Sequence, residues 1–479
     1  MRTILIAALV ATTFSTSHAE DAAGLAPAAT AEPSYDSLLA SQVEALKTQN
    51  DLLREQIQLQ SSDGYDANQV TFSDGISTEF VDDLNSLLEW RESVEKAEAK
   101  AAAKAALAPT IGFKGRFFFD AYNFSQNAES VAQVGNAENA VALRWAWIEM
   151  GGQVMENTSY RIWFDLAGQV SLLDVYLDFA ELPYAQNVRV GHFFEPFGME
   201  QLTPNKYLTF MERASAFNLG RNTGVMAHSD DDQANWTYGL GVFVSEQGSK
   251  PPRFQDDNDA TAITGRLTWL PWYDEATDGR GVFHLGVGGS YRNLADDTAE
   301  FKHRPESYMA PVVIDTGVVA ASDYQLLGLE AAYAYGSFAV QAEYQGASVN
   351  TLGPGSQYLD GAYIQTSYFL TGENRFYNRR SGSFSNKIVP LENFFRVRTG
   401  ECSTCTGWGA WELAYRYAYN DLNDTTIQGG RMGVHQLGLN WYLSPYTRAM
   451  LDFIHSDADT TVANGGDLDI VQMRMQFNL

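Results

Sequence analysis

The sequence predicts an all-β fold: a 16-stranded antiparallel transmembrane β-barrel with an N-terminal α-helical coiled-coil segment. Three observations predict it. From Ile111 to Leu479, apolar side chains recur at every second position. Beyond the N-terminus, no stretch reaches the roughly eighteen uninterrupted apolar residues of a transmembrane helix. The 479 residues combine 13% aromatics and 40 glycines with a formal charge of −27. A membrane barrel needs that mixture of aromatic girdles, small residues where strands crowd, and a polar interior.

Residues 1–19 read as a secretory signal. Arg2 supplies the positive start, Ile4 to Val10 the apolar core, and Ser17-His18-Ala19 the small-residue cleavage site. Residues 20–110 then form a linker and a helical region, expected in the periplasm. Leu39, Val43, Leu46, Asn50, Leu53 and Ile57 follow a heptad seam, with Asn50 as its single polar position. A single amphipathic helix is the alternative. A second helical piece, Phe80 to Leu107, ends in an Ala/Glu/Lys-rich spacer.

The barrel occupies residues 111–479. Its clearest strand is the last one. Val471, Met473, Met475, Phe477 and Leu479 alternate with Gln472, Arg474, Gln476 and Asn478. Tyr160, Ile162 and Phe164 alternate with Arg161, Trp163 and Asp165, and Trp411, Leu413 and Tyr415 with Glu412, Ala414 and Arg416. Counting such segments places strands near 112–124, 140–153, 158–168, 172–180, 187–194, 222–228, 235–245 and 261–270. The rest fall near 280–293, 323–335, 337–348, 357–370, 408–420, 431–443, 446–457 and 468–479. An even number leaves both barrel ends on one side, next to the helical region. That side should carry the short turns, yet the long 371–407 segment falls there too.

Several stretches resemble the phosphate-selective porin family (the O and P type). They are RVGHFFEPFGMEQLTPNKYLTFMERASAFNLGRNTGV at 189–225 and SYFLTGENRFYNRRSGSF at 367–384. GAWELAYRYAYNDLNDTTIQGG and LGLNWYLSPYTRAMLDFIHSD follow within 409–457, with GFKGRFFFDAYNF at 112–124 and the closing MRMQFNL. The resemblance spans nearly the whole barrel. It implies a homotrimeric anion channel in the bacterial outer membrane, narrowed by inward-folded loops, passing small anionic solutes such as phosphate. The heptad segment fits a trimer axis and equally a dimer. The resemblance also implies a lysine-rich constriction, whereas the barrel region holds only Lys114, Lys206, Lys250, Lys302 and Lys387.

The pore candidates follow from strand parity and from the connection between the fifth and sixth strands, Glu195 to Asn222. Pro196, Gly198, Pro204 and Gly220 bend that connection, and it carries Lys206, Arg213 and Arg221. Inward positions of the strands carry Lys114, Arg116, Arg144, Arg161, Arg189, Arg266, Arg416, Arg448 and Arg474. A guanidinium stays charged and offers paired donors to a phosphate or carboxylate, so such a column would favour anions. The alternative is that these arginines pair with Asp120, Asp165, Glu343, Glu412 and Asp452 to hold the barrel together.

Other signals are weaker. Cys402-Ser403-Thr404-Cys405 reads as a redox or metal motif or as a local disulfide in a loop. The seven histidines show no ligand spacing, and acidic runs such as Asp256-Asp257-Asn258-Asp259 read as solvated loops. No phosphate loop, nucleophile elbow or catalytic carboxylate pair stands out, so no enzyme, cofactor, metal or nucleic-acid partner is expected. Outer-membrane lipid is the expected surrounding. Two rival functions remain: a structural barrel tethered by its coiled coil, and a general or cation-preferring porin.

Overall fold

The computed structural model describes residues 109–214, 216–244, 260–353, 355–397 and 405–479, together with the helical Lys96. The expected signal, the heptad segment and Cys402 lie outside the described residues.

Among the described residues, sixteen long strands form the wall. They are β1 (Gly112–Gln126), β2 (Ala140–Met155), β3 (Thr158–Asp165), β4 (Ser171–Leu182), β5 (Gln186–Phe194) and β6 (Arg221–His228). Next come β7 (Trp236–Val244), β8 (Thr261–Tyr273), β9 (Gly281–Asn293), β10 (Val319–Tyr335) and β11 (Phe338–Thr351). The last are β12 (Ser356–Phe369), β13 (Ala410–Asn423), β14 (Gln428–Ser444), β15 (Thr447–Asp459) and β16 (Gly466–Asn478). Each pairs antiparallel with its neighbours in sequence. β16 returns to pair with β1, Arg474 lying opposite Asp120. Closure leaves no strand edge unpaired, the condition for a sheet to cross hydrocarbon.

The expected strands coincide with these to within a few residues. Two differences have local causes. β10 begins at Val319 because Thr298 and Ala299 of the preceding loop pair with Ala320 and Val319. β3 stops at Asp165, whose Oδ1 accepts the backbone N–H groups of Ala146 and Ala167 and turns the chain.

The alternation sets the two faces. On β16, Val471, Met473 and Met475 are 41–56% exposed in the isolated chain, while Gln472, Arg474 and Gln476 are at most 3% exposed. The outward row is apolar and the inward row polar, the reverse of a soluble sandwich. Near the barrel end that carries Gly112 and Asn478, outward indoles stack in pairs, Trp236 on Trp269 at 5.4 Å and Trp411 on Trp441 at 4.9 Å. Toward the other end, the outward Tyr344 and Tyr358 hydroxyls meet at 2.7 Å. Aromatic rings suit those two interfacial depths.

Three connections shape the interior. Residues 195–220, between β5 and β6, fold inward, as expected. Residues 294–318, between β9 and β10, pack Ala310 and Ile314 into an apolar cluster with Leu422, Met432, Val434 and Ile454. Residues 371–388, which follow β12, do lie at the end of the short turns, and they too fold inward. There the Tyr377 hydroxyl meets His284 Nδ1 at 2.6 Å.

Candidate functional site

The 195–220 loop carries backbone N–H and C=O groups into the barrel, where each needs a partner. The wall supplies them. Glu343 Oε2 accepts the N–H of Met199 at 3.0 Å and Oε1 that of Glu200 at 2.6 Å. Asp452 accepts the N–H of Met211 at 3.1 Å. Arg448 donates to the carbonyls of Leu208 (2.7 Å) and Thr209 (3.0 Å), and Asn440 also donates to Thr209 O. Gln476 donates to the carbonyl of Lys206 at 3.1 Å.

Apolar contact completes the seating. Phe197 lies against Gly288 and Gly328, where an added Cβ would come within 3.1 Å of the ring. Phe210 lies against Gly438, where a Cβ would come within 2.8 Å. Inward glycines on β9, β10 and β14 thus make room for the loop.

Because the anchors lie on β11 and β13–β16, the loop sits against that side. A cavity of about 430 Å³ is left along β1–β8. Lys114, Arg116, Arg161, Arg189, Lys206, Arg213, Arg221, Arg266 and Arg380 line it, against only Glu149, Asp174 and Asp230. It reaches from the chain-end mouth, at Lys114 and Asp230, to the lumen loop at Arg213 and the start of β6 at Arg221. The lining is cationic although the whole chain carries −27.

Most of these cations are partly neutralised. Arg161 meets Glu149 at 3.2 Å and Asp174 at 3.7 Å. Arg221 meets Asp174 at 2.6 Å, Arg189 meets Asp178 at 2.5 Å, and Arg266 meets Glu330 at 2.6 Å. Lys114 lies 3.6 Å from Glu149, and Arg380 2.9 Å from Asp232. Among the described residues, Arg116, Lys206 and Arg213 have no carboxylate partner. Arg213 instead donates to the carbonyls of Glu200 (2.9 Å) and Thr203 (2.6 Å). Burial, reinforced by the neighbouring Arg116, pulls the Lys206 ammonium down to about 8.

Eight of the twelve candidate cations therefore face one cavity. The other four lie outside that cavity and hold the lumen loop. Arg144 pairs with Glu212 at 3.0 Å. Arg416 donates to Gln436 Oε1 (2.6 Å) and Glu212 O (2.9 Å), and Arg448 holds the carbonyls named above. Arg474 pairs with Asp120 (2.7 Å) and Glu212 (2.9 Å) and donates to Met211 O. Arg221 opens β6 rather than lying within the loop.

Among the described residues, Asp120 alone of the acids expected to pair with wall arginines does so, with Arg474. Glu412 takes Arg375, from the second inward segment, at 2.6 Å. Glu343 and Asp452 serve the lumen loop, and Asp165 serves a turn.

Sequence reading missed Arg292 and the arginines of the second segment. Arg292 holds Glu195 at 2.9 Å, and strand parity along β9 could have found it. Arg375, Arg379 and Arg380 sit on a segment whose inward fold no periodicity marks. Arg379 reaches Gln233 O, Asn235 Oδ1 and Glu275.

The family described as phosphate-selective porin O and P matches residues 112–479. The chain belongs to that family. It is an outer-membrane porin. Porin O of Pseudomonas aeruginosa is 27% identical over 375 residues, covering 70% of this chain and 81% of its own length. An uncharacterized protein of Caulobacter vibrioides is 29% identical over 340 residues, covering 67% of this porin and 64% of itself. Among solved structures, the anion-selective porin from Comamonas acidovorans is similar at 13% identity with a TM-score of 0.48, covering 78% of this chain and 100% of that one.

Proposed function

We propose that this porin is a passive diffusion channel that prefers small anions, phosphate among them. The carrying observation is the lining of the cavity: nine cations against three carboxylates. Fixed cations on a low-dielectric wall lower the barrier for anions, and several weak sites in series allow release as well as entry. The acidic groups behind the overall charge act weakly here, because exposed charges are screened beyond a Debye length of about 8 Å.

The proposal includes a trimer. β3, β5, β6 and β7 are 8 or 9 residues long, whereas β8–β16 run to 13–17. A tilted strand needs about 9–11 residues to cross the hydrocarbon layer. The low wall at β3–β7 is therefore the face a second copy would shield, and its end of the barrel with short turns would face the periplasm.

Reversal potential in a potassium chloride gradient tests the selectivity. The expected sign is that of chloride permeation; a potassium-selective value overturns the reading. Light scattering of the detergent-solubilised protein tests the trimer, and a monomeric mass counts against it.

A further inference from the structure

Within the cavity, Arg116 stands apart. It is only 6% exposed, and its Nε and Nη1 have no hydrogen-bond partner among the described residues. Its guanidinium instead packs on two indoles, 4.7 Å from Trp147 and 5.2 Å from Trp163. Those indoles meet edge to face at 4.6 Å.

The same interleaving continues around the wall. Arg189 lies 4.3 Å from the Tyr176 ring, and Arg221 lies 3.9 Å from that of Phe194. Lys206, across from Arg116 on the lumen loop, lines the cavity as well.

A small inorganic oxyanion needs hydrogen-bond donors and gains nothing from apolar rings, against which it loses its water. A ring-bearing anion uses both: its carboxylate is drawn to the Arg116 and Lys206 charges, and its face joins the stack of rings and guanidinium planes. The cavity, about 430 Å³, lies within the roughly 300–1,000 Å³ of small-molecule sites.

We infer that the Arg116–Trp147–Trp163 wall, faced by Lys206, is a binding site for monoanions carrying one aromatic ring, with benzoate the simplest member. This rests on the anion-channel reading and adds the solute class to it. Arg116 and Lys206 hold the carboxylate; Trp163 and its neighbours hold the ring.

The test is block of chloride current through the full-length porin in a planar bilayer, by benzoate, cyclohexanecarboxylate, acetate and inorganic phosphate. Benzoate should block at about tenfold lower concentration than acetate, with cyclohexanecarboxylate between them. Trp163→Leu, which keeps apolar bulk but removes the π face, should bring the blocking concentration of benzoate close to that of cyclohexanecarboxylate. If benzoate blocks no better than acetate, or if phosphate blocks at the lowest concentration, the aromatic-anion site is overturned, and that comparison needs no variant. Anion-selective reversal potentials would survive such a failure. A cation-selective potential would remove the underlying channel reading instead.

Discussion

Glu343, on β11, grips the start of the lumen loop with both carboxylate oxygens, accepting the backbone N–H groups of Met199 at 3.0 Å and Glu200 at 2.6 Å. One wall side chain thereby fixes where the loop enters the barrel. Glu343→Gln keeps one acceptor and loses the other. A hydrogen bond contributes about 0.5–1.5 kcal/mol net, so the loop should loosen by an amount of that order. The expected reading is a noisier open-channel current at unchanged mean polarity of selectivity. A current as quiet as the parent's would show that the Glu343 grip is dispensable.

Arg474 and Asp120 close the seam between β16 and β1, with side chains 1% and 0% exposed. Arg474→Met leaves Asp120 and Glu212 buried without this cation, a loss of about 3–5 kcal/mol for a broken buried pair. Arg161, with its side chain 36% exposed, lines the cavity instead. Arg161→Gln should change stability by no more than about 1 kcal/mol while weakening anion preference. The heat needed to unfold the barrel on a gel, read beside reversal potentials, separates the two roles. Equal thermal losses in both variants would contradict the division.

Lys206 sits on the lumen loop, not on a membrane strand, and burial brings its ammonium down to about 8. The cationic form therefore dominates below that pH, and the neutral form above it. Anion preference should fall as pH rises from 7 to 9. Lys206→Met should start at the lower value and remove the step. A selectivity independent of pH across that window would place the Lys206 charge outside the conducting path.

Gly438 leaves space for Phe210, and a Cβ there would stand 2.8 Å from the ring. Gly438→Val should push Phe210 and the loop away from β14 toward the cavity. Single-channel conductance should drop, while the barrel still folds, because the outward face of β14 is untouched. A parental conductance would mean that the loop absorbs the extra volume elsewhere.

The barrel was legible in the sequence because lipid outside and polar groups inside impose a period of two on every strand. Leu437, Leu439 and Trp441 point outward for the same reason that Gln436, Gly438 and Asn440 point inward. The Glu195–Gly220 loop was legible too, from its prolines and glycines between two strands of known parity. Parity tells which side of the wall a side chain is on and nothing more. It could not separate Arg161, in the cavity, from Arg416, which donates to the loop carbonyl of Glu212.

What the sequence determined by itself is the ring of strands, its strand order and the set of charged side chains turned inward. What only the tertiary structure decided is which of those charges stay available. That choice depends on where the lumen loop lands, and the loop lands where Glu343, Asp452, Arg448 and the glycines opposite Phe197 and Phe210 meet its backbone and rings. Those partners lie far away along the chain, Glu343 144 residues from Met199 and Asp452 241 from Met211, and no local pattern encodes the meeting. The same is true of Arg379 and Arg380, carried inward by a segment without periodicity.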